Sequence, residues 1–184
     1  LSFLFPLSQM LYWTFKFPEN LFDLQLIELL LNTLYLVFLS SLVLIFFALI
    51  SNYGNRVSNK KVLNILSTLS ISGYAIPGVI LAIAFITFVA WFDDNVIKSL
   101  GFLSIKKIFI GSILGLVVVY FVRFYSLAFN GIKSGYEKIN IAVDESSYLL
   151  GYSKRKTFFN IHIPYLRNSL LFVIILISLE IIRE

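Results

Sequence analysis

The sequence predicts an all-α membrane protein, a polytopic bundle of transmembrane helices, and three observations carry that prediction. Of its 184 residues 59% are hydrophobic and only 14% charged, where ordinary soluble domains are about a quarter charged. The apolar residues gather into stretches long enough to cross a bilayer, which takes about 20 residues. The lysines and arginines gather in the segments between those stretches.

The first stretch, Leu1 to Trp13, is too short for a complete span and is interrupted by Pro6 and Gln9. No basic leader precedes it, so it does not read as a signal peptide. Residues 1–24 are expected to be the end of a preceding membrane helix followed by an extracytoplasmic segment. Complete spans follow at about Leu26 to Ile50, Val62 to Trp91 and Ile108 to Phe129, and a fourth begins near Leu166. None has a single polar face, as expected where lipid and other helices are the surroundings. The chain opens on leucine and stops inside the apolar run Leu170 to Glu184, so it reads as truncated at both ends.

Charge gives the orientation. Arg56, Lys60 and Lys61 follow the first span, and Lys133, Lys138, Lys154, Arg155 and Lys156 follow the third. The opposite side carries Lys16, Lys98, Lys106 and Lys107, half as many. Basic loops stay in the cytoplasm, which places Asn52–Lys61 and Gly131–Pro164 there. The net charge of +5 is accounted for by those loops, and no nucleic-acid partner is expected. With no cysteine and a single histidine, His162, the chain has neither disulfides nor the donors for a metal site. His162 reads as a helix-end residue.

Within the spans, Gly111, Ser112 and Gly115 form a small-residue patch suited to close helix approach. Gly73-Tyr74-Ala75-Ile76-Pro77-Gly78 predicts a kink or break, because proline removes a backbone donor and clashes with the preceding turn. Either this is a packed proline kink, or Tyr74, Pro77 and Gly78 line a pathway with freed backbone. Charged side chains in a span cost about 2.5–3.5 kcal/mol each on insertion scales. Arg123 is expected to snorkel to the cytoplasmic face. Glu180 and Arg183 are three apart and can pair on one face. With Glu184 they are the remaining pathway candidates.

The segment from about 137 to 164 is the most informative. Ile141 to Leu150 reads as a short helix with Asp144 and Glu145 favouring its early turns. Gly151 sits where a helix ends in the left-handed conformation. Ser153 is an N-cap for a second short helix running to about Asn160, which Pro164 closes off before the next span. Lys154, Arg155 and Lys156 lie at the positive end of that helix's dipole, so topology or an acidic partner must place them there.

Glu145-Ser146-Ser147, three residues, Gly151, nine residues, then Ile161-His162-Ile163-Pro164 resembles the EAA loop of bacterial ABC importer permeases. Serines replace the two alanines and Ile163 replaces leucine, with the spacing intact. Gly73 to Ala82, Tyr120 to Phe124 and Asp144-Glu145 resemble the iron(III)-type permeases, of which this chain looks like the C-terminal half. Arg183-Glu184 stands where that subfamily has Lys-Glu.

The resemblance implies a type I ABC importer permease (MetI-like) bundle, with residues 25–184 part of its transmembrane domain. It implies a multi-pass protein of the bacterial inner membrane that moves ferric iron and is no enzyme. No phosphate-cradling glycine loop with a lysine is present, so ATP is bound and hydrolysed by a partner chain, and this chain binds no cofactor. Implied partners are a cytoplasmic ABC ATPase dimer, a periplasmic substrate-binding protein, a second permease half in the same polypeptide, and membrane lipid. Asp144, Glu145, Ser146, Ser147, Gly151, Ile161, Ile163 and Pro164 would form the ATPase-coupling loop. Tyr148, Leu149, Phe158 and Phe159 would offer its apolar surface. The same machinery could carry thiamine, polyamine or phosphonate instead. An integral-membrane enzyme would need His, Asp or Glu clustered at the membrane interface, which the sequence lacks.

Overall fold

The structure, a computed structural model, describes residues 3–16, 24–58, 76–97, 109 and 111–184. The chain folds as two compact units, Leu1–Leu36 and Val37–Glu184. In the first, α1 (Leu4–Lys16) is a 13-residue helix with no buried side chain. Its two aliphatic hydroxyls are satisfied locally: Ser8 donates to the Phe5 carbonyl and Thr14 to that of Met10, both at 2.9 Å. The 35-residue α2 (Leu24–Ser58) begins in this unit and ends in the second.

The second unit contains α3 (Gly78–Phe92), extended by a π-helical turn (Asp93–Ile97), and α4 (Ile113–Glu137). Two short helices follow, α5 (Ile141–Leu149) and α6 (Lys154–Thr157). A second π-helical turn (Phe158–His162) leads into α7 (Ile163–Arg183). Among the described residues there is no strand, and four helical segments are long and apolar enough to cross a membrane. The multi-pass helical fold is therefore as the composition predicts.

The core is a stripe on each helix. Leu44 and Ala48 of α2, Phe124, Ala128 and Ile132 of α4, and Leu166, Val173 and Ile177 of α7 are fully enclosed. Their spacings of four and seven keep them on one helical face. Leu42, Phe46, Leu171, Phe172 and Leu179 on the same helices remain exposed. In water that would be a liability, but in hydrocarbon these faces are solvated and only the backbone needs internal partners.

Glycine sets the tightest crossing. Gly131 and Gly135, four apart on α4, face α7: a Cβ on Gly131 would collide with Val173, and one on Gly135 would lie 2.8 Å from Ser169 Cβ. This small-xxx-small pair lets the two backbones approach, and it explains why α4 runs past Phe129 into the polar segment expected as loop from Gly131. The small-residue patch expected at Gly111, Ser112 and Gly115 does a different job. Gly111 takes φ 72°, Ser112 caps α4 by accepting from the Gly115 N–H at 3.2 Å, and the Phe109 carbonyl occupies the space a Gly115 side chain would need. The patch shapes a turn and a helix start, so α4 begins at Ile113 rather than Ile108.

The break expected near Pro77 is a helix start: Pro77, extended at ψ 134°, is the N-cap of α3. Residues 62–75 of the expected second span, including Gly73, Tyr74 and Ala75, lie outside the described residues, as do Lys60, Lys61, Lys98, Lys106 and Lys107.

Polar ties join α2 to α4. Tyr125 Oη lies 2.6 Å from Ser51 Oγ, and the buried Asn52 side chain donates to the carbonyls of Ala48 and Phe129 at 2.9 and 3.1 Å. Inter-helix hydrogen bonds of this kind are worth about 0.6–1.7 kcal/mol in membrane bundles. Asn52→Leu, nearly equal in volume, is expected to destabilise the protein by that amount, read as a lower midpoint of thermal unfolding in detergent. An unchanged midpoint would show that the tie contributes nothing.

Candidate functional site

The segment between α4 and α7 folds into two short helices for reasons that lie within a few residues of each end. Asn140 accepts from the Ala142 N–H at 3.0 Å and so satisfies a free donor at the start of α5. At the other end the Gly151 N–H donates to the Tyr148 carbonyl and the Tyr152 N–H to that of Ser147, both at 3.0 Å. This pair of bonds closes a helix only if the residue at the turn takes the left-handed conformation, and Gly151 does so at φ 79°. Ser153 then caps α6, accepting from the Lys156 N–H. Helix, glycine turn and N-cap all stand where the sequence places them.

The second helix departs from expectation. It does not stop at Asn160, and Pro164 does not close it off. The helical path is continuous from Lys154 to Arg183, and Pro164 lies within it, at the junction between a π-helical turn and α7. The π-helical turn Phe158–His162 precedes it, and the wider turn rotates His162 inward.

His162 is therefore a buried partner rather than a helix-end residue. Its ring is 1% exposed, and Nε2 lies 2.6 Å from Asp144 Oδ1. The carboxylate accepts, so Nε2 carries the proton. Asp144 Oδ2 takes a second bond from Arg56 Nε, also at 2.6 Å. The remaining guanidinium nitrogens of Arg56 donate to the carbonyls of Tyr136, Ile139 and Asn140 at 2.9–3.2 Å. These carbonyls belong to the end of α4 and the link after it, where intrahelical donors run out. Tyr136 and Tyr53 enclose the imidazole edge-on at 5.4 Å, and the Tyr53 hydroxyl donates to the Lys154 carbonyl at 2.6 Å. One carboxylate thus ties the end of α2 and the entry to α7 to α5. The two segments that charge assigns to one side of the membrane do meet at one end of the bundle.

The coupling-loop candidates divide by side. Asp144 and Ser147 are buried, Ser147 bonding the Asp144 carbonyl at 2.7 Å and Thr157 Oγ1 at 3.0 Å. Glu145, Ser146, Gly151 and Pro164 are exposed, while Ile161 and Ile163 are half-buried. Leu149 and Leu150 project into the open at 89% and 78% exposure, with Tyr148 and Phe159 also exposed. Phe158 instead packs on Tyr53 at 4.7 Å. A groove of roughly 560 Å³ runs between α5 and the π-helical turn, lined by Val143, Ser146, Leu150, Tyr152 and Ile161 among others.

The pathway candidates are only partly brought together. Arg123, expected to snorkel, is paired within the chain: its guanidinium ion-pairs with Glu184 and fills the space a Gly78 side chain would need, beside Pro77. It lies 13 residues from Tyr136 on α4, about 20 Å along the axis, and so far from Asp144. Glu180 and Arg183 pair separately at 3.8 Å, with Arg183 largely exposed. Tyr74 is outside the described residues.

Sequence reasoning missed Arg56, Asn140, Thr157 and the role of His162. Asn140 before a short amphipathic run was a readable capping signal. Arg56 and His162 lie 88 and 18 residues from Asp144, and no local pattern joins them.

A comparison with curated proteins gives no match. Residues 44–184, more than three quarters of the chain, match the family of binding-protein-dependent transport system inner membrane components, and the match takes in α3, α4, the two short helices and α7. The chain belongs to that family of membrane permeases.

Proposed function

We propose that this permease is the membrane-spanning subunit of an ATP-driven importer of the bacterial inner membrane, coupled to a separate ATPase dimer through residues 137–164. The observation that carries the reading is the division of that segment. Its inner side is fixed by Asp144 and Ser147, while Leu149 and Leu150 stand clear of the rest of the chain. Apolar side chains at the tip of a rigid polar-anchored element favour a partner pocket rather than a lipid or core contact. Glu145 is exposed beside them and available to the same partner.

The cargo proposed is ferric iron, delivered by a periplasmic binding protein and passed through a pore completed by a second permease half. Support comes from the iron(III)-type sequence pattern at Gly73 to Ala82, Tyr120 to Phe124 and Asp144-Glu145. Leu149→Asp with Leu150→Asp is expected to abolish co-purification of the ATPase while leaving membrane insertion intact, since both side chains are largely exposed. Undiminished co-purification would remove the docking assignment. ATP-dependent uptake of ferric iron by proteoliposomes holding the full transporter and its binding protein tests the cargo. Uptake of thiamine, a polyamine or a phosphonate in its place would reassign it.

A further inference from the structure

We infer that Arg56, Asp144 and His162 form a rigid joint, and that Asp144 is the positioning residue through which movement of α5 reaches the membrane spans. The inference rests on the coupling role proposed for residues 137–164. Little besides these side chains holds α5. Of its nine residues only Asp144 and Ser147 are buried, and both are polar. An amphipathic helix is normally held by an apolar face, yet the outward apolar residues of α5, Ile141 and Leu149, are 67% and 89% exposed. Val143 is the one apolar side chain of α5 packed against the core, and only partly buried, so the helix is attached chiefly by directional bonds.

Those bonds run to different elements. Asp144 Oδ2 holds Arg56 at the end of α2, and Oδ1 holds His162 at the entry to α7. Arg56 in turn holds the carbonyls at the end of α4. Ser147 adds a bond to Thr157 of α6. The carboxylate is 12% exposed and the imidazole 1%, so water has little access to these bonds. Charge-assisted bonds of 2.6 Å resist displacement in either direction, so a push or pull on α5 moves the ends of α2, α4 and α7 together. The π-helical turn is part of the device, because it brings the Nε2 of His162 to the carboxylate, and turns of this type recur at functional positions.

The test uses the complete transporter with its ATPase and binding protein, and reads uptake per ATP hydrolysed. His162→Leu and Asp144→Asn are expected to keep co-purifying with the ATPase, since Leu149 and Leu150 are untouched, but to lose at least about tenfold in that ratio. His162→Gln presents an amide N–H near the position of Nε2 and is expected to retain most of it. The joint is overturned if His162→Leu keeps the parental ratio, or if His162→Gln falls as far as His162→Leu, since ring packing alone would then account for the loss. A parent that shows no ATP-dependent uptake would instead remove the coupling reading itself.

A second measurement serves where a variant does not accumulate. The chain contains no cysteine, so spin labels at Ile141→Cys and Gly54→Cys report one distance between α5 and α2. Gly54 has open space around it and Ile141 is exposed. With the joint intact, that distance is expected to stay constant between the nucleotide-free and ATP-bound transporter. A change on ATP binding overturns the inference.

Discussion

Gly135→Val is expected to unseat α4 from α7 and to cost about 1–3 kcal/mol or more, the range for overpacking a close contact. The added carbons would meet Leu166 Cδ2 and Ser169 Cβ, each 2.8 Å from the new Cβ. A leucine tip can rotate away, but a serine Cβ is fixed to its backbone, so α7 itself must move. Core residues Leu166 and Val173 on α7 would separate from Ile132 with it. Two controls isolate the cause. Gly54→Ala is helical with nothing within 4 Å, so it should be neutral or gain up to about 1 kcal/mol of helix propensity. Ser169→Gly in the Gly135→Ala background should recover much of the loss by removing the fixed carbon. Thermal unfolding in detergent reads all three, and a midpoint for Gly135→Val equal to the parent's would show that the crossing tolerates separation.

Gly151→Val is expected to reduce uptake at least about tenfold with the protein still inserted. No steric neighbour is involved, because a Cβ on Gly151 would meet nothing within 4 Å. The whole effect is in the backbone. At φ 79° an L-residue pays about 1–2 kcal/mol, and a β-branched one more, while about 1.4 kcal/mol already shifts an equilibrium tenfold. Relieving that strain opens the turn, breaks the two bonds from Gly151 and Tyr152 that end α5, and changes the angle between α5 and α6. Asparagine tolerates this conformation, so Gly151→Asn should keep most of the uptake. Binding-protein-stimulated ATP hydrolysis at the parental level in Gly151→Val would sink the coupling role of the turn.

These glycines differ in how far each could be understood before the helices are placed. Gly151 was legible because its demand is local: a helix ends there, and the residue types on either side say so. Gly135 was not, although Gly131 and Gly135 have the spacing of a packing pair. The segment around them is polar, with Lys133 and Lys138, and reads as loop until α7 is placed against it. Gly111 and Gly115 attracted the packing assignment because they lie in an apolar stretch, yet their demand proved to be a turn.

The same division runs through the charged residues. Composition, span length and the distribution of lysine and arginine were enough to determine a multi-pass helical protein, because lipid forbids the alternatives whatever the packing. The spacing from Glu145 to Pro164 was enough to locate two short helices joined at Gly151, because caps and turns are decided within a few residues. What only the tertiary structure decided is which side each residue of that element faces. Asp144 is turned inward to Arg56 and His162, while its neighbour Glu145 is left outside. Arg123 likewise meets Glu184, 61 residues away in the chain. A buried charge finds its partner through the meeting of distant helices, and the π-helical turn that brings His162 to Asp144 leaves no periodic signature in the chain.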